Sequence, residues 1–286
     1  MIKTIADEVW VFDCEWVPDL QAGRLLYKLP EDLPEQEILR IMWEQGGATA
    51  ENPQPFLKTI LCRVVSIAAV IRQKLPDGQV KVLMSFLPDR PEDPAQDEKY
   101  ILQRFLGNRL EKNNPQLVGF NSRNSDLRIL MQRAITNGLS LKSLCDRITA
   151  KPWESRDVDL MELVSGFGRN YAVSLNELAT LCGIPGKINT SGDDVCGLWY
   201  TGQHRKIVEY NCFDALTTYL LWLRLAFFSS LFTSDEYIEE QARVRIMLEE
   251  SVQKPEGAFL ATYLETWQDL QKKTGQDRNG VFAGYN

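Results

Sequence analysis

The first apolar run of the chain, Val9-Trp10-Val11-Phe12, leads into two carboxylates, Asp13 and Glu15, on either side of Cys14. Read as a strand, its alternation places Val9, Val11, Asp13 and Glu15 on one face and Trp10, Phe12, Cys14 and Trp16 on the other. A strand apolar on both faces is a central one, covered on both sides. Two acids at its end need something positive to meet them, because burying a charge alone is expensive. Two more apolar runs read as strands, Cys62–Arg72 and Gln79–Leu87, joined by Pro76-Asp77-Gly78 as a hairpin turn. Residues 17–61 then form an insertion between the first two strands. It holds one amphipathic helix near Pro34–Glu44 and a Gly- and Pro-containing loop after it.

Beyond the hairpin the apolar period lengthens. A helix is expected over Gln96–Lys112, a short strand over Gln116–Phe120, and a helix over Ser125–Asn137 closed by Gly138. A strand follows at Asp157–Leu160. Ser174 and Glu177 have the spacing of a capping box for a helix that stops at Gly183. Arg205–Phe228 is apolar nearly all round, the mark of a buried helix. The order of strand, hairpin, then alternating helices and strands predicts a mixed α/β sheet. Residues 1–230 read as one domain and 231–286 as a helical extension, with helices near Ser234–Ser251 and Ala258–Gln271 and a frayed last ten residues.

Composition narrows the function. The net charge of −7 argues against a protein that coats nucleic acid by bulk electrostatics, though not against a local basic rim. Residues 231–286 carry ten acidic and six basic residues, so the first 230 hold only a small excess of acids. Six cysteines without a C-x-x-C pair imply reduced, mostly buried thiols rather than disulfides or a zinc cluster. One histidine, His204, excludes multi-histidine metal sites and reads as a surface residue. No apolar run reaches the ~20 residues of a membrane span, and the opening residues lack a signal-peptide pattern. A cytoplasmic protein is expected.

Two further acids stand where chemistry gathers. Asp126 follows Asn121-Ser122-Arg123-Asn124-Ser125, a polar loop between a strand end and a helix start, the usual ligand position in α/β sheets. Taken alone, the favoured reading of Asp126 is an acid meeting a helix dipole. Asp214 lies inside the long apolar helix, one turn after Tyr210 on the same face. An acid there needs a partner: the tyrosine, Arg63, Arg224 or a cation.

Taken together, Asp13-Cys14-Glu15, Asp126 and Tyr210-x-x-x-Asp214 resemble the motifs of the tyrosine-type DEDD 3′–5′ exonuclease superfamily. Glu209 stands where the histidine type would place its histidine. More narrowly, Asp13-Cys-Glu-Trp-Val-Pro-Asp19, Asp159-Leu-Met and Leu181-Cys-Gly-Ile-Pro-Gly-Lys187 resemble the predicted exonucleases related to the proofreading domain of family-B DNA polymerases, over residues 8–228. The resemblance implies a ribonuclease H-like mixed sheet, three antiparallel strands then parallel ones, flanked by helices and followed by the helical appendage. It also implies 3′–5′ hydrolysis of nucleic acid with two divalent cations, Mg²⁺ or Mn²⁺. Asp13, Glu15, Asp126 and Asp214 would be the ligands, and Tyr210 would position the attacking water. Trp16, Asn121, Ser122, Arg123 and Lys187 are the candidates for holding substrate, with single-stranded DNA ahead of RNA. A separate polymerase or repair protein would be the partner. One departure stands out: Ser125 precedes the second-motif Asp where the family usually has an aromatic. That residue favours the alternative of a weak or inactive nucleic-acid-binding protein on the same fold. Four unrelated salt bridges would be the third explanation of the acids.

Overall fold

A computed structural model describes residues 2–151, 154–166, 173–188 and 191–275. Its centre is a five-stranded sheet built from β1 (Glu8–Pro18), β2 (Cys62–Lys74), β3 (Val80–Leu87), β4 (Gln116–Gly119) and β5 (Val158–Asp159), in the order β3-β2-β1-β4-β5. The β1–β2 and β2–β3 pairs are antiparallel, and the β1–β4 and β4–β5 pairs are parallel. This is the mixed sheet expected from the sequence. β1 is central, as its two apolar faces require. Val9 and Val11 join one core, while Trp10, Phe12 and Cys14 join another on the opposite face.

The insertion differs from expectation at its start. β1 runs on to Pro18, and Asp19 then caps a helix absent from the sequence reading, α1 (Leu20–Tyr27), by accepting from the Gln21 and Ala22 amides at 3.1 and 3.4 Å. With eight residues, of which only Gly23 is buried, it is too short to carry a readable period. The expected helix follows as α2 (Glu35–Gln45), with Ile38, Leu39 and Met42 buried. The helix after the hairpin is interrupted: α3 (Glu98–Leu102) passes through a wider π-helical stretch, Gln103–Leu110, into α4 (Glu111–Asn113). It covers one sheet face with α5 (Asp126–Thr136) and α6 (Lys142–Thr149). Two other short helices lack an apolar period long enough to read, α7 (Leu160–Val164) and α9 (Val195–Tyr200). The capping box at Ser174 opens α8 (Leu175–Leu181) as expected.

The other face is covered by α10 (His204–Phe228). This helix is apolar all round because it is sandwiched. Val9, Val11 and Val70 of the sheet meet one side, and the helices α11 (Ser234–Val252) and α12 (Leu260–Lys273) meet the other through Tyr237, Val244, Tyr263 and Trp267. Thr217 in α10 donates to the Pro185 carbonyl at 2.8 Å and lies 3.1 Å from the Tyr263 hydroxyl. A buried pair, Arg72 to Glu240 at 2.7 Å, ties β2 to α11. The C-terminal helices therefore share the core of α10. The expected frayed last ten residues lie outside the described residues.

Candidate active site

The site is assembled where β1 outruns its parallel neighbour. The β4 strand pairs with β1 only over Val9–Val11, so the residues after Val11 have no partner on that edge. The Cys14 amide instead donates to Asp126 Oδ1 at 3.1 Å. On the antiparallel side the register slips between Glu15 and Trp16: Glu15 faces Ser66 and Trp16 faces Val64, leaving Val65 as an extra residue in β2. Such a bulge re-aims side chains beside it. It is held by Glu98, which accepts from the Val64 amide at 2.7 Å. Glu98 and Asp19 are both bound by the buried guanidinium of Arg133, at 2.6 and 2.8 Å.

Asp13 and Glu15 share the sheet face toward α10, as strand alternation demands. Asp214 reaches them from that helix, and one carboxylate oxygen from each of the three lies within 4.8 Å of the others. Neither arginine considered as a partner for Asp214 is placed against it. Arg63 sits over the Trp199 ring and Arg224 over the Tyr237 ring. Its hydrogen bond is with Tyr210, one turn earlier. Asp126 stands apart from the trio, oriented by the Cys14 amide and by the hydroxyl of Ser125, which lies 2.7 Å from Asp126 Oδ2 and equally close to the Asn121 carbonyl. A hydroxyl has one proton, and an ionised Asp126 draws it. The residue at the family's aromatic position thus holds the carboxylate by a hydrogen bond instead.

The electrostatics follow from crowding. Burial first, then the charges of Asp126, Glu15 and Asp214, push Asp13 well above the usual carboxylate range. Burial and the neighbouring acids do the same to Glu15. Asp126 and Asp214 are each raised to about 6, chiefly by burial; Lys187 partly offsets the rise at Asp214. The Tyr210 phenol is driven up by burial and by the Asp214 charge, so it stays neutral and protonated. Carboxylates arranged at such cost to their ionised forms suit a cation.

The acids form the floor of a cleft of about 600 Å³ that Trp16, Asn121 and Ser125 also line. Trp16 is half-buried, packing on the core of one sheet face while bordering the cleft. Asn121 adopts a left-handed backbone, φ 59°, and its amide donates to Asp159 at 3.0 Å. Ser122 is buried in the turn, against Gly119, where an added Cβ would come 2.4 Å from the serine Cβ. Arg123 lines a separate cleft of about 700 Å³, and its guanidinium is engaged by Glu162 at 3.2 Å. Lys187 is close enough for its charge to act on Asp214. His204 is half-buried, stacked on Trp199 with ring centroids 4.2 Å apart. Cys14, Cys62 and Cys212 are buried, whereas Cys145 is exposed.

Two supporting roles escaped the sequence reading, that of Asn211, which it did not single out, and that of Asp159, which it quoted only as part of a motif. Asn211, fully buried in α10, donates from Nδ2 to Asp13 Oδ2 at 2.7 Å and accepts from the Ser66 hydroxyl at 2.8 Å. A carboxamide inside an apolar helix must find partners, and that was the available signal. Asp159 is buried, and besides Asn121 it accepts from the Arg123 and Glu162 amides at 2.9 and 3.2 Å, fixing the loop that carries Asp126.

Residues 54–267 match a family model described as a predicted 3′–5′ exonuclease related to the exonuclease domain of PolB. The chain belongs to this family. The matched span contains Asp126, Tyr210 and Asp214, while Asp13 and Glu15 precede it. The exonuclease relation implies a nucleic-acid substrate; exonuclease domains of this type use divalent metal, and Asp13, Glu15 and Asp214 are a group that could hold one. Among solved structures, it is similar to the family B DNA polymerase from the hyperthermophilic archaeon Pyrobaculum calidifontis, with 16% identity and a TM-score of 0.46. That similarity covers 95% of this chain and 30% of the polymerase. No curated protein matches the chain. Among the described residues no helix is long and apolar enough to cross a membrane.

Proposed function

We propose that the chain removes nucleotides from the 3′ end of single-stranded nucleic acid, DNA in preference to RNA, by two-metal-ion hydrolysis in the acid-floored cleft. The observation that carries this reading is the convergence of Asp13, Glu15 and Asp214 within 4.8 Å. Opposite oxygens around one divalent cation lie roughly 4–5 Å apart, so the donor set fits a single ion, and its hard oxygens favour Mg²⁺ or Mn²⁺ over softer metals. Bound cations would supply a nucleophile at neutral pH and neutralise charge on the leaving oxygen.

The residues divide the remaining work. Asp13, whose proton affinity is raised by burial and by the charges of Asp126, Glu15 and Asp214, would be the ligand common to both cations. Glu15 and Asp214 complete one cation site. Asp126, oriented by the Cys14 amide and the Ser125 hydroxyl, would serve the second. Asn211 keeps the Asp13 carboxylate turned toward the cleft. Tyr210, neutral and hydrogen-bonded to Asp214, orients the attacking water and does not act as its base. Asn121 lines the cleft, and Lys187, outside its lining, carries a charge that reaches Asp214; both would meet phosphate oxygens, and Trp16 would offer a ring to a base. A polymerase or repair protein in the cytoplasm is the proposed partner.

The test is polarity. Single strands of DNA and RNA labelled at the 5′ end, incubated with Mn²⁺ or Mg²⁺, should shorten into a ladder one nucleotide at a time, faster for DNA. Release of the label as a 5′ mononucleotide, or one internal cut, would contradict the proposal.

A further inference from the structure

Part of the cleft's lining comes from the insertion between β1 and β2. Trp43 of α2 and the segment Asn52-Pro53-Gln54-Pro55-Phe56-Leu57 line the same 600 Å³ space as Asp13, Glu15 and Asp214. Phe56 is 86% exposed. A lone exposed apolar residue is ordinary on a protein surface. Phe56 differs because it lines an acid-floored cleft that two tryptophans, Trp43 and Trp16, also line. Phe56 also follows two prolines at alternate positions, which stiffen its approach. Leu57, its neighbour, packs into the small core of Ile38, Met42 and Leu61 and anchors the segment to α2.

The charge pattern makes the aromatic wall more telling. Five cleft-lining side chains are carboxylates (Asp13, Glu15, Asp126, Asp193 and Asp214), and among the described lining residues none is Lys or Arg. A polyanion gains nothing from direct contact with such a floor. It must be held by cations at its phosphate and by something uncharged at its bases. Aromatic rings bind bases without regard to sequence and without a countercharge. A space of this size takes a ligand of one or two nucleotides, within the ~300–1,000 Å³ of ordinary ligand clefts. It has no room for a duplex.

Building on the exonuclease reading, we infer that Phe56, in a cleft that Trp43 also lines, is a base-stacking wall that receives the unpaired nucleobases of the 3′ end. The inserted segment thereby makes strandedness a property of the site. A paired terminus keeps its bases stacked on their neighbours and cannot present them to the wall. The 2′-hydroxyl is not read by a ring face, so the wall serves DNA and RNA alike.

The test uses the full chain and single strands ending in 2-aminopurine, whose fluorescence falls on stacking. Their terminal linkages are phosphorothioates, which slow cleavage, and Mg²⁺ is present. For DNA and RNA strands, Phe56→Ala should weaken binding roughly 5- to 150-fold, the range for loss of one base–aromatic stack. Phe56→Trp should restore it. A strand with abasic residues at its 3′ end should bind the wild type and Phe56→Ala equally, a result that general damage to the fold would not give. Binding of the 2-aminopurine strand by Phe56→Ala within twofold of wild type would overturn the inference, as would an equal loss on the abasic strand. A discrimination between DNA and RNA that disappears in Phe56→Ala would also overturn it. Hydrolysis is followed separately on unmodified strands. Quenching by a wild type that cannot hydrolyse them would support the wall and overturn the catalytic reading.

Discussion

Lowering the pH from 8 to 5 should expel a divalent cation from the acid cluster, and the structure sets the size of the effect. Asp214 is raised to about 6, so at pH 5 it is ionised in roughly one molecule in eleven. A cation that requires its carboxylate is then bound about tenfold more weakly, a change of ~1.4 kcal/mol. Burial and the neighbouring acids also raise Asp13 and Glu15 well above the usual carboxylate range, so each adds to the loss. The assay is calorimetric titration with Mn²⁺ in buffers of different ionisation enthalpy, which reads affinity and proton release together. At least one proton should leave per ion bound near pH 6, with an affinity loss of tenfold or more by pH 5. The metal-free protein should respond in the opposite sense. Between the ordinary carboxylate pKa of ~4 and the raised folded values, the folded state binds more protons than the unfolded one. The contribution of these acids to stability therefore falls as pH rises through about 6. Saturating Mn²⁺ should reverse that trend. An affinity constant within twofold from pH 5 to 8, with no proton released, would refute the reasoning.

Other consequences are equally open to measurement. Asn211→Ala removes a buried donor from Asp13 and an acceptor from Ser66, and hydrogen bonds to charged groups contribute ~1.5–3 kcal/mol. Nuclease rate should fall by roughly 10- to 100-fold while the circular dichroism spectrum is unchanged. Arg133→Met leaves Asp19 and Glu98 buried without their cation, which should cost ~3–5 kcal/mol in urea unfolding. Trp267→Ala empties a fully buried site between α12 and α10, worth ~3–5 kcal/mol, so the melting temperature should drop by about 10 °C. If the C-terminal helices were only attached to the surface, that melting temperature would hardly move.

Much of this was legible in the sequence because it depends on local period. Strand alternation alone put Asp13 and Glu15 on one face with Val9 and Val11, and helical spacing put Tyr210 one turn before Asp214. The sandwiching of α10 followed from its lack of a polar face. What was not legible depends on contacts distant in sequence. Nothing near Glu98 says that it receives the Val64 amide at a bulge, 34 residues away. Nothing near Asp19 says that it shares Arg133 with Glu98, although Asp19 belongs to the first motif. Asn211 gave a hint, a carboxamide among apolar neighbours, but not its partners. Arg123, a polar loop residue by sequence, faces Glu162 in a different cleft, and no pattern in its own segment could show that. Short helices such as α1 and α9 are likewise set by caps and packing, and their few residues carry too little period.

The central claim is that Asp13 joins the acids of β1, α5 and α10 into one metal-dependent hydrolytic site. It is tested most directly by counting mononucleotides released from a 3′-labelled single strand with Mn²⁺, by the wild type and by Asp13→Asn. The substitution keeps the side chain's size and its contact with Asn211 while removing the charge. Release by the wild type, abolished by chelator and reduced at least a thousandfold in a normally folded Asp13→Asn, is the result expected. Release by Asp13→Asn at the wild-type rate would contradict the account.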